Sequence, residues 1–405
     1  MKLLALTNFY PPLGYGYGAI CADVMESLQK RGHECAVLCV EGGEGAAVKV
    51  QTGLGAVLAG WRKPLRARGA EVRSQRLVRE ALRGGVDAAL IFHMRGVGKG
   101  SLTLLHDAGI PVVYLLGDLW VVYERPGPPS WWGFWQVADH NGVYRAARAA
   151  AARVAGLGKL ELRSPPIASE GIVCFASAWL CDRYAAAGFK PRSGHIVPNG
   201  VRVDELAALR VGQAASSREG GTLVALFAGR LEAAKGAHIA VDAIARVEGV
   251  DLVVLGGGDE RAVRALTRRI GELGLEHRVS LAGEVSRDAV TRHMARADFF
   301  LMPAEQPDAF GLVYIEAMAT GAVVIGTARG GPAEFCIDGE NSLVLPPDPG
   351  AVADGLARLR DDPALCLRLR DGARRTAERY TLTAMVDKVE ALLPSGGARR
   401  PFGLQ

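Results

Sequence analysis

The sequence predicts an α/β protein made of two doubly wound domains, each built around a parallel sheet. The chain has 405 residues, which is too long for one ordinary hydrophobic core. Its apolar runs are short and alternate with segments of helical length, a pattern typical of parallel strands covered by helices. The alternation is interrupted by a turn-rich and then polar stretch at 198–221, after which it begins again.

In the first half of the chain, apolar runs bounded by turn residues alternate with segments whose apolar residues recur every three or four positions. We therefore predict strands at 2–8, 34–40, 87–92, 111–116, 171–175 and 194–198. We predict helices at 17–31, 70–84, 98–108, 138–155 and 177–187.

The second half repeats this alternation and ends in two further helical segments. Its predicted strands are 223–228, 251–256, 278–282, 298–302, 322–326 and 342–345. Its predicted helices are 236–247, 259–274, 286–296, 311–319, 349–360, 363–378 and 382–394.

The polar stretch places the domain boundary near residue 210. We expect one Rossmann-like domain at 1–210 and a second at 211–375. The helical end of the chain, 376–394, is expected to pack back toward the first domain. Residues 395–405 read as a loose tail.

The composition is that of a soluble globular protein, with 49% apolar and 22% charged residues. The net charge of +5 is mild and long basic blocks are lacking, so we expect no nucleic acid partner. The seven cysteines form neither a CxxC pair nor a cluster with histidines. This pattern predicts reduced thiols, no metal site and a cytoplasmic protein.

The most basic segment is 61–83, and its first interpretation is a solvated, Arg-rich helix. The alternative is peripheral contact with the inner face of a membrane or with an anionic acceptor, because Trp61 and Leu65 lie among the charges. The apolar opening of the chain is short and is broken by Asn8 and two prolines. We interpret it as a strand rather than a secretion signal.

The segment 303–321, PAEQPDAFGLVYIEAMATG, carries two carboxylates around the start of an apolar helix. Asp308 lies before this helix and Glu316 lies within it. Because a predicted strand runs directly into the segment, both acids belong to the carboxyl edge of a sheet. There the helix amides can bind phosphate while the acids bind hydroxyls, a combination that suits a nucleotide-sugar.

Two cations follow the first predicted strand of the second domain. Gly229 and Arg230 follow this strand directly, and Lys235 precedes the next helix. Arg and Lys at a sheet edge can clamp a diphosphate. The alternative interpretation is a pair of ordinary surface cations.

Glycines follow two other predicted strands. Gly256 and Gly258 allow close approach of a nucleotide to the backbone, or simply form a tight turn. In the first domain, Gly14, Gly16 and Ala19 match G-x-G-x-x-A, and Glu41 ends the next strand. This pattern keeps an NAD-dependent oxidoreductase open as an alternative. It fits imperfectly, because Phe9, Tyr10 and two prolines lie between the strand and the glycines.

These segments together resemble glycosyltransferase family 4, which comprises retaining enzymes of the GT-B fold. The resemblance is strongest in 226–236 (LFAGRLEAAKG), in 254–260 (VLGGGDE) and from 303 to 346. It also includes the opening YPPLGYGYG and 31–38, RGHECAVL. The implied architecture is two Rossmann-like domains facing across a cleft, with an acceptor domain first and a donor domain second.

The resemblance implies roles for individual residues. Arg230 and Lys235 match the basic pair that holds the donor diphosphate. Glu316 matches the acid that binds the nucleotide ribose, and Asp308 stands at the acid position near the donor sugar and the reacting centre. Backbone donors to phosphate are implied at three positions: Gly311, Leu312 and, in the first domain, Gly16.

The chain departs from the family pattern twice. Asp308 stands where Glu is usual, and Gly117 stands where the family often has His. Asp118 and Trp120 then become candidates for sugar contact. His93, after the neighbouring strand, is interpreted as structural or catalytic. The tryptophans within 125–135 would stack on a sugar ring or anchor a loop.

We therefore expect a retaining, metal-independent glycosyltransferase that uses a nucleoside diphosphate sugar, most commonly UDP-linked, as donor substrate and needs no cofactor. The acceptor would be a glycan, a lipid-linked sugar or a small molecule. The alternatives are the oxidoreductase, a related phosphorylase or epimerase, and an inactive binding protein of the same fold.

Overall fold

The computed structural model describes residues 1–10, 16–42, 59–94, 97, 100–123, 171–211 and 221–394. The chain divides into two compact units. The first comprises Met1–Ala176, Leu180–Val197 and Val386–Gln405, and the second comprises Ser177–Trp179 and Pro198–Met385. Over the described residues each unit contains a sheet of six parallel strands. The predicted α/β class with two parallel sheets is therefore confirmed.

The first sheet has the strand order β2-β1-β3-β4-β5-β6. Its strands are β1 (Lys2–Tyr10), β2 (Glu34–Gly42), β3 (Ala88–Ile91), β4 (Val112–Leu116), β5 (Ile172–Phe175) and β6 (Ser193–Ile196). The described helices that alternate with them are α1 (Tyr17–Lys30), α2 (Ala59–Gly84), α3 (Gly100–Asp107), α4 (Trp120–Tyr123) and α5 (Ala178–Ala186).

The second sheet has the order β12-β11-β10-β7-β8-β9. Its strands are β7 (Leu223–Ala228), β8 (Val250–Leu255), β9 (Val279–Gly283), β10 (Phe299–Met302), β11 (Val323–Gly326) and β12 (Leu343–Val344). The accompanying helices are α6 (Val203–Val211), α7 (Ala237–Ile244), α8 (Glu260–Glu272), α9 (Arg287–Arg296), α10 (Leu312–Thr320), α11 (Pro349–Asp361), α12 (Pro363–Ala377) and α13 (Leu382–Ala391).

Several inner strands of the two sheets are apolar on both faces and fully buried. Every residue of β3 is buried, and the same is true of β10 and β11. This burial explains why the strands read as continuous apolar runs, since helices cover both faces of a parallel sheet. The most buried apolar side chains therefore lie in two cores, one around each sheet.

Helix α6 shows where reasoning from composition differs from the structure. It lies in the stretch 198–221, where no helix was predicted, and it packs on α10 of the second unit. The division between the units accordingly falls at Val197–Pro198, before the predicted boundary near residue 210. At the other end, α13 continues from the second unit into residues that group with the first, from Val386 onward.

Other helix bounds also differ from those predicted. Helix α2 begins at Ala59 rather than near residue 70, and continues through Pro64 although proline lacks the amide for an interior helical bond. The short helix α4 was not predicted. The helix predicted at 138–155 and the tail at 395–405 lie outside the described residues. None of the described helices has the length and apolar composition needed to cross a bilayer.

Candidate functional site

Each sheet has one point at which the order of its strands reverses. In the first sheet, the strands that follow β2 continue from the other side of β1, so the reversal lies between β1 and β3. In the second it lies between β7 and β10. Ligands of open α/β sheets bind beyond the carboxyl ends of the strands at such points. The residues that follow these strands are therefore the candidates in each unit.

Beyond β7, the chain makes a short turn of 3-10 helix before α7. Arg230 follows the strand, and its guanidinium lies 2.6 Å from the Glu232 carboxylate with 71% of the side chain exposed. Lys235 ends the 3-10 turn, and Gly236 follows with a left-handed φ of 79°. A Cβ at Gly236 would overlap the carbonyl oxygen of Pro303. Glycine at this position thus brings Lys235 close to the chain that leaves β10.

Lys235 and Asp308 are in direct contact. The ammonium Nζ of Lys235 lies 2.7 Å from Oδ2 of Asp308, although 73 residues separate the two in sequence. Both side chains are partly buried, with 22% and 29% of their surfaces exposed. The reversal point of the second sheet therefore holds a cation and a carboxylate side by side.

The backbone of Asp308 is bonded on both sides to the loop after β11. Its amide donates to the carbonyl of Arg329 at 3.1 Å, and its carbonyl accepts from the amide of Gly331 at 2.8 Å. A Cβ at Gly330 would overlap the Asp308 carbonyl oxygen. Ala328 in the same loop has a φ of 46°, which L side chains rarely adopt. This loop fixes the position of Asp308, and the sequence analysis did not assign it that role.

Helix α10 begins four residues after Asp308, and no side chain caps its start. Its N-cap residue is Gly311, with a left-handed φ of 84°, and the helix begins at Leu312. The first amides of a helix lack intrahelical partners and lie at the positive end of its dipole. This start is suited to an anion, next to the Lys235–Asp308 pair.

Glu316 lies in the second turn of α10, with 14% of its side chain exposed. Its Oε1 is 3.8 Å from a guanidinium nitrogen of Arg287, the first residue of α9. The sequence analysis did not identify Arg287, because only the fold brings α9 and α10 together. The Glu316 carboxylate thus has a cation from a different element beside it.

Gly256 and Gly258 have a structural reason to be glycine. Gly256 has a φ of 135°, and a Cβ there would overlap the carbonyl oxygen of Gly229. The amide of Leu231 donates to the Gly257 carbonyl at 2.8 Å. A Cβ at Gly258 would lie 2.9 Å from Leu231. The ends of β7 and β8 are thus joined closely, while the nucleotide role of these glycines stays a prediction.

In the first unit, Gly16 precedes α1 with a φ of 67° and a ψ of −116°, a conformation that favours glycine. Its carbonyl accepts from the amides of Ala19 and Ile20, each at 3.1 Å. A Cβ at this position would meet nothing within 4 Å. The predicted fingerprint glycine Gly14 lies outside the described residues.

His93 and Asp118 meet beyond the ends of β3 and β4. Nε2 of His93 is 3.2 Å from Oδ2 of Asp118, whose other oxygen accepts from the Trp120 amide at 3.1 Å. Asp118 has 54% of its side chain exposed, whereas His93 is buried. The ring of Trp120 is only 4% exposed and packs against His93 at 5.7 Å. Trp120 is therefore packed against His93, and its contact with a sugar stays a prediction.

Tyr17, the first residue of α1, fills the space beside Gly117. A Cβ at Gly117 would overlap the Tyr17 ring, and the ring carbons Cδ2, Cε2 and Cζ are its nearest atoms. Burial and the nearby Asp118 carboxylate raise the pKa of the Tyr17 phenol well above its ordinary value. The ring of Tyr17, from another element, thus occupies the space beside Gly117 that a side chain would take.

Among the described residues, no group of three or more His, Cys, Asp or Glu side chains is arranged as a metal site. All seven cysteines are free thiols, and five of them are buried. Burial raises the pKa of the Cys174 and Cys336 thiols to about 12, so both stay protonated near neutral pH. The tryptophans within 125–135 lie outside the described residues.

Comparison with known proteins identifies the second half of the chain. Residues 213–376 match the family model described as glycosyl transferases group 1. This segment is therefore similar to the group 1 glycosyl transferases. The D-inositol 3-phosphate glycosyltransferase of Xylanimonas cellulosilytica is 36% identical over 159 residues, which are 38% of each protein. The lipopolysaccharide core biosynthesis glycosyltransferase LpsE of Rhizobium meliloti is 34% identical over 177 residues, which are 42% of this chain and 50% of LpsE.

The similarity to these relatives is confined to part of each protein. The chain covers between 38% and 52% of the length of the first curated relatives that it matches. The resemblance to glycosyltransferases is confirmed over that part.

Structural comparison extends over nearly the whole chain. The crystal structure of Anabaena Alr3699/HepE in complex with UDP and glucose aligns with 97% of this chain and 99% of its own, with a TM-score of 0.69 and 21% identity. The structure of WaaG, a glycosyltransferase involved in lipopolysaccharide biosynthesis, aligns with 98% of this chain at a TM-score of 0.65 and 19% identity. The GT-B fold is therefore confirmed, with two Rossmann-like sheets.

Proposed function

We propose that the protein is a glycosyltransferase that moves a sugar from a nucleoside diphosphate donor to a hydroxyl of an acceptor, with UDP as the expected nucleotide. The contact of Lys235 with Asp308 at the reversal point of the second sheet carries this proposal. It joins a cation and a carboxylate next to the uncapped start of α10. These are the groups that a phosphate linked to a hydroxylated sugar needs.

Lys235 and Arg230 would neutralise the charge that develops on the leaving diphosphate. The amides of Gly311 and Leu312 would donate to its oxygens, and phosphate binding by Gly16 in the first unit stays a separate proposal. Such preorganised positive groups lower the barrier by stabilising charge that grows in the transition state. We propose that they replace a metal ion in this role, and that the leaving phosphate accepts the proton of the acceptor hydroxyl.

Asp308 would contact the donor sugar near the reacting centre. Its carboxylate is already bonded to Lys235, so a diphosphate that binds Lys235 must share or displace Asp308. A displaced carboxylate is then available to accept from sugar hydroxyls. Because Asp is one methylene shorter than Glu, we expect Asp308 to favour a donor sugar that lies closer to the loop of residues 328–331 than a Glu would.

Glu316 would bind the ribose hydroxyls of the nucleotide. A carboxylate accepts two neighbouring hydroxyls well, and Arg287 holds this one in place from α9. Retention of anomeric configuration is proposed from the resemblance to the retaining family. We expect no carboxylate nucleophile of the kind that retaining hydrolases use.

The acceptor is proposed to be a polyhydroxylated molecule, either a glycan, a lipid-linked sugar or a small cyclitol or natural-product core. Relatives that match the chain include a D-inositol 3-phosphate glycosyltransferase and the alpha-D-kanosaminyltransferase of Streptomyces kanamyceticus. We propose a cytoplasmic enzyme, with peripheral membrane contact through residues 61–83 if the acceptor is lipid-linked.

Thermal shift and calorimetric titrations with UDP, GDP and NADH test the nucleotide class. A ligand that binds the native state raises its melting temperature. We expect UDP, or else GDP, to stabilise the wild type but to lose affinity for Lys235→Ala. The surface variant Arg264→Ala, which loses only an exposed pair with Glu260, should behave as wild type. Binding of NADH alone would favour the oxidoreductase instead.

An assay of UDP-glucose and GDP-mannose hydrolysis tests whether the protein is active. The measured quantity is the free nucleotide that is released. Turnover above the rate without enzyme is expected, and it should persist in EDTA if no metal takes part. A protein that binds the nucleotide but never cleaves either donor, with or without added acceptors, would instead be a binding protein of the same fold.

A further inference from the structure

The reversal point of the first sheet holds a polar cluster contributed by separate elements. Tyr17 begins α1, His93 follows β3 and Asp118 follows β4. The elements converge because the carboxyl ends of β1, β3 and β4 lie at one edge of the sheet. The cluster combines a carboxylate with an imidazole and a phenol.

The Tyr17 ring is placed by packing on both sides. It contacts Phe92 edge to face, with ring centroids 6.2 Å apart, and it occupies the space that any side chain at Gly117 would take. Cζ, which carries the hydroxyl, is among the ring atoms nearest to that space. The Tyr17 ring therefore occupies the space that the first side-chain carbon at position 117 would take.

Asp118 is held in position and still has capacity to bind. Its side chain accepts from the Trp120 amide and pairs with His93, while its carbonyl accepts from the Tyr184 hydroxyl at 2.9 Å. A carboxylate offers about four acceptor positions, so these two side-chain contacts leave some for a ligand. More than half of the Asp118 side chain is exposed. A fixed, exposed carboxylate next to a phenol is suited to neighbouring hydroxyls of a sugar or cyclitol.

We propose that Tyr17 takes the place of the side chain missing at position 117, and that its hydroxyl and the Asp118 carboxylate together form a subsite for the hydroxyls of a sugar or cyclitol ring. His93 acts through Asp118 as a positioning residue. This inference rests on the proposed glycosyltransferase function. The hydroxyls belong either to the donor sugar or to the acceptor, and the experiment separates the two.

Support for the phenol as a donor comes from its protonation. Burial raises the pKa of Tyr17 first, and the Asp118 charge raises it further. The hydroxyl thus stays protonated throughout the neutral range and can donate a hydrogen bond. A neutral donor beside a carboxylate acceptor matches the two faces of a sugar hydroxyl, which both donates and accepts.

The packing half of the proposal is tested by a double-mutant cycle in thermal unfolding, using Tyr17→Ala, Gly117→Ala and the double variant. Gly117→Ala alone should lower the melting temperature, because the new Cβ overlaps the Tyr17 ring. In the Tyr17→Ala background the same change should cost little, so the two effects should not add. Additive losses, or a neutral Gly117→Ala, would overturn the inference irrespective of any enzymatic activity.

The binding half is tested with Tyr17→Phe, which keeps the ring and removes only the hydroxyl. We expect an unchanged melting temperature and UDP affinity, but about a tenfold loss in kcat/KM, the effect of one lost hydrogen bond to a ligand. A loss in hydrolysis of UDP-glucose or GDP-mannose without acceptor assigns the hydroxyl to the donor sugar. A loss confined to transfer assigns it to the acceptor.

The matched control is Tyr10→Phe, since the Tyr10 phenol has Cys21 and Glu26 rather than Asp118 among its charged neighbours. It should retain wild-type kinetics. If the wild type turns over donor and Tyr17→Phe equals it in both reactions, the subsite is wrong while the proposed function stands. If the wild type neither binds nucleotide nor cleaves a donor, the proposed function fails, and the double-mutant cycle still reports on the packing of Tyr17.

Discussion

The two sheet edges differ in how they use charge. At the reversal point of the second sheet, each candidate acid has a cationic partner, with Lys235 against Asp308 and Arg287 near Glu316. At the corresponding point of the first sheet, the carboxylate of Asp118 faces a histidine and a phenol. A charged ligand is favoured at the first kind of edge and a neutral, hydroxylated one at the second. The same topology therefore supports two chemistries, set by the few residues that follow the strands.

Removal of the Lys235 side chain should have the largest effect, and only at the second sheet edge. In Lys235→Ala the transfer rate should fall by about 10²–10³, the usual loss of one group that stabilises transition-state charge. The melting temperature should also fall, because the partly buried Asp308 carboxylate loses its cation. Steady-state kinetics and circular dichroism check both statements, with Arg264→Ala as the control. Turnover near the wild-type rate would mean that the diphosphate binds elsewhere.

The next prediction compares a glycine from each edge. Gly256→Ala should lower the free energy of unfolding by about 3 kcal/mol or more, since its Cβ overlaps the Gly229 carbonyl at a φ of 135°. Gly16→Ala meets open space, so it should cost only the backbone strain, about 1–2 kcal/mol. Urea unfolding of both variants measures the difference. Equal losses would show that steric overlap does not distinguish the two positions.

Glu316→Gln should act on nucleotide binding with little effect on the fold. The amide keeps the shape of the side chain but removes the charge that pairs with Arg287 and that would accept from the ribose hydroxyls. We expect about a tenfold weaker Kd for UDP, which corresponds to about 1.4 kcal/mol. Calorimetry with UDP and with pyrophosphate, which lacks the ribose, checks the ribose contact, because only UDP binding should weaken. Unchanged UDP affinity would reject a ribose contact.

The smallest expected effect concerns the first unit alone. Hydrogen bonds from His33 and then Arg31 lower the pKa of the Glu390 carboxyl below its ordinary value. A lowered folded-state pKa contributes stability above the unfolded value of about 4.3 and loses it as pH falls through the folded value. Wild type should exceed Glu390→Gln in stability at pH 7 by at most about 1 kcal/mol. The gap should close below about pH 4 in thermal melts, and a gap that widens on acidification would contradict this assignment.

Much of the fold was accessible from sequence because its determinants are local. The spacing of apolar residues, the turn residues and the apolar runs located the strands of both sheets within a few positions. The carboxyl ends of parallel strands lie at one edge of a sheet. For this reason Lys235 and Asp308, predicted from separate motifs, lie together. Helix α6 was missed because its Ala-rich segment adjoins a Ser/Gly-rich stretch, and composition alone does not reveal its packing on α10.

The parts of the candidate sites that sequence did not predict depend on contacts between distant segments. Gly117 was noticed as a departure, but nothing in its neighbourhood says that Tyr17 fills the space. Arg287 reads as the first residue of an ordinary helix until α9 and α10 are placed. The burial of Trp120 was not predicted either, because an aromatic residue after a strand looks the same in sequence whether it is exposed or buried.

The end of the chain has a consequence for dividing the protein into pieces. Residues from Val386 onward group with the first unit, where Arg31 contacts both Asp387 and Glu390. A fragment that stops at Val197 would therefore lack the carboxylates that satisfy Arg31, and a fragment that begins at Pro198 would carry them. If the two fragments are produced separately and mixed, Arg31 of one can pair again with Asp387 and Glu390 of the other, which offers a route to conditional reassembly of the protein.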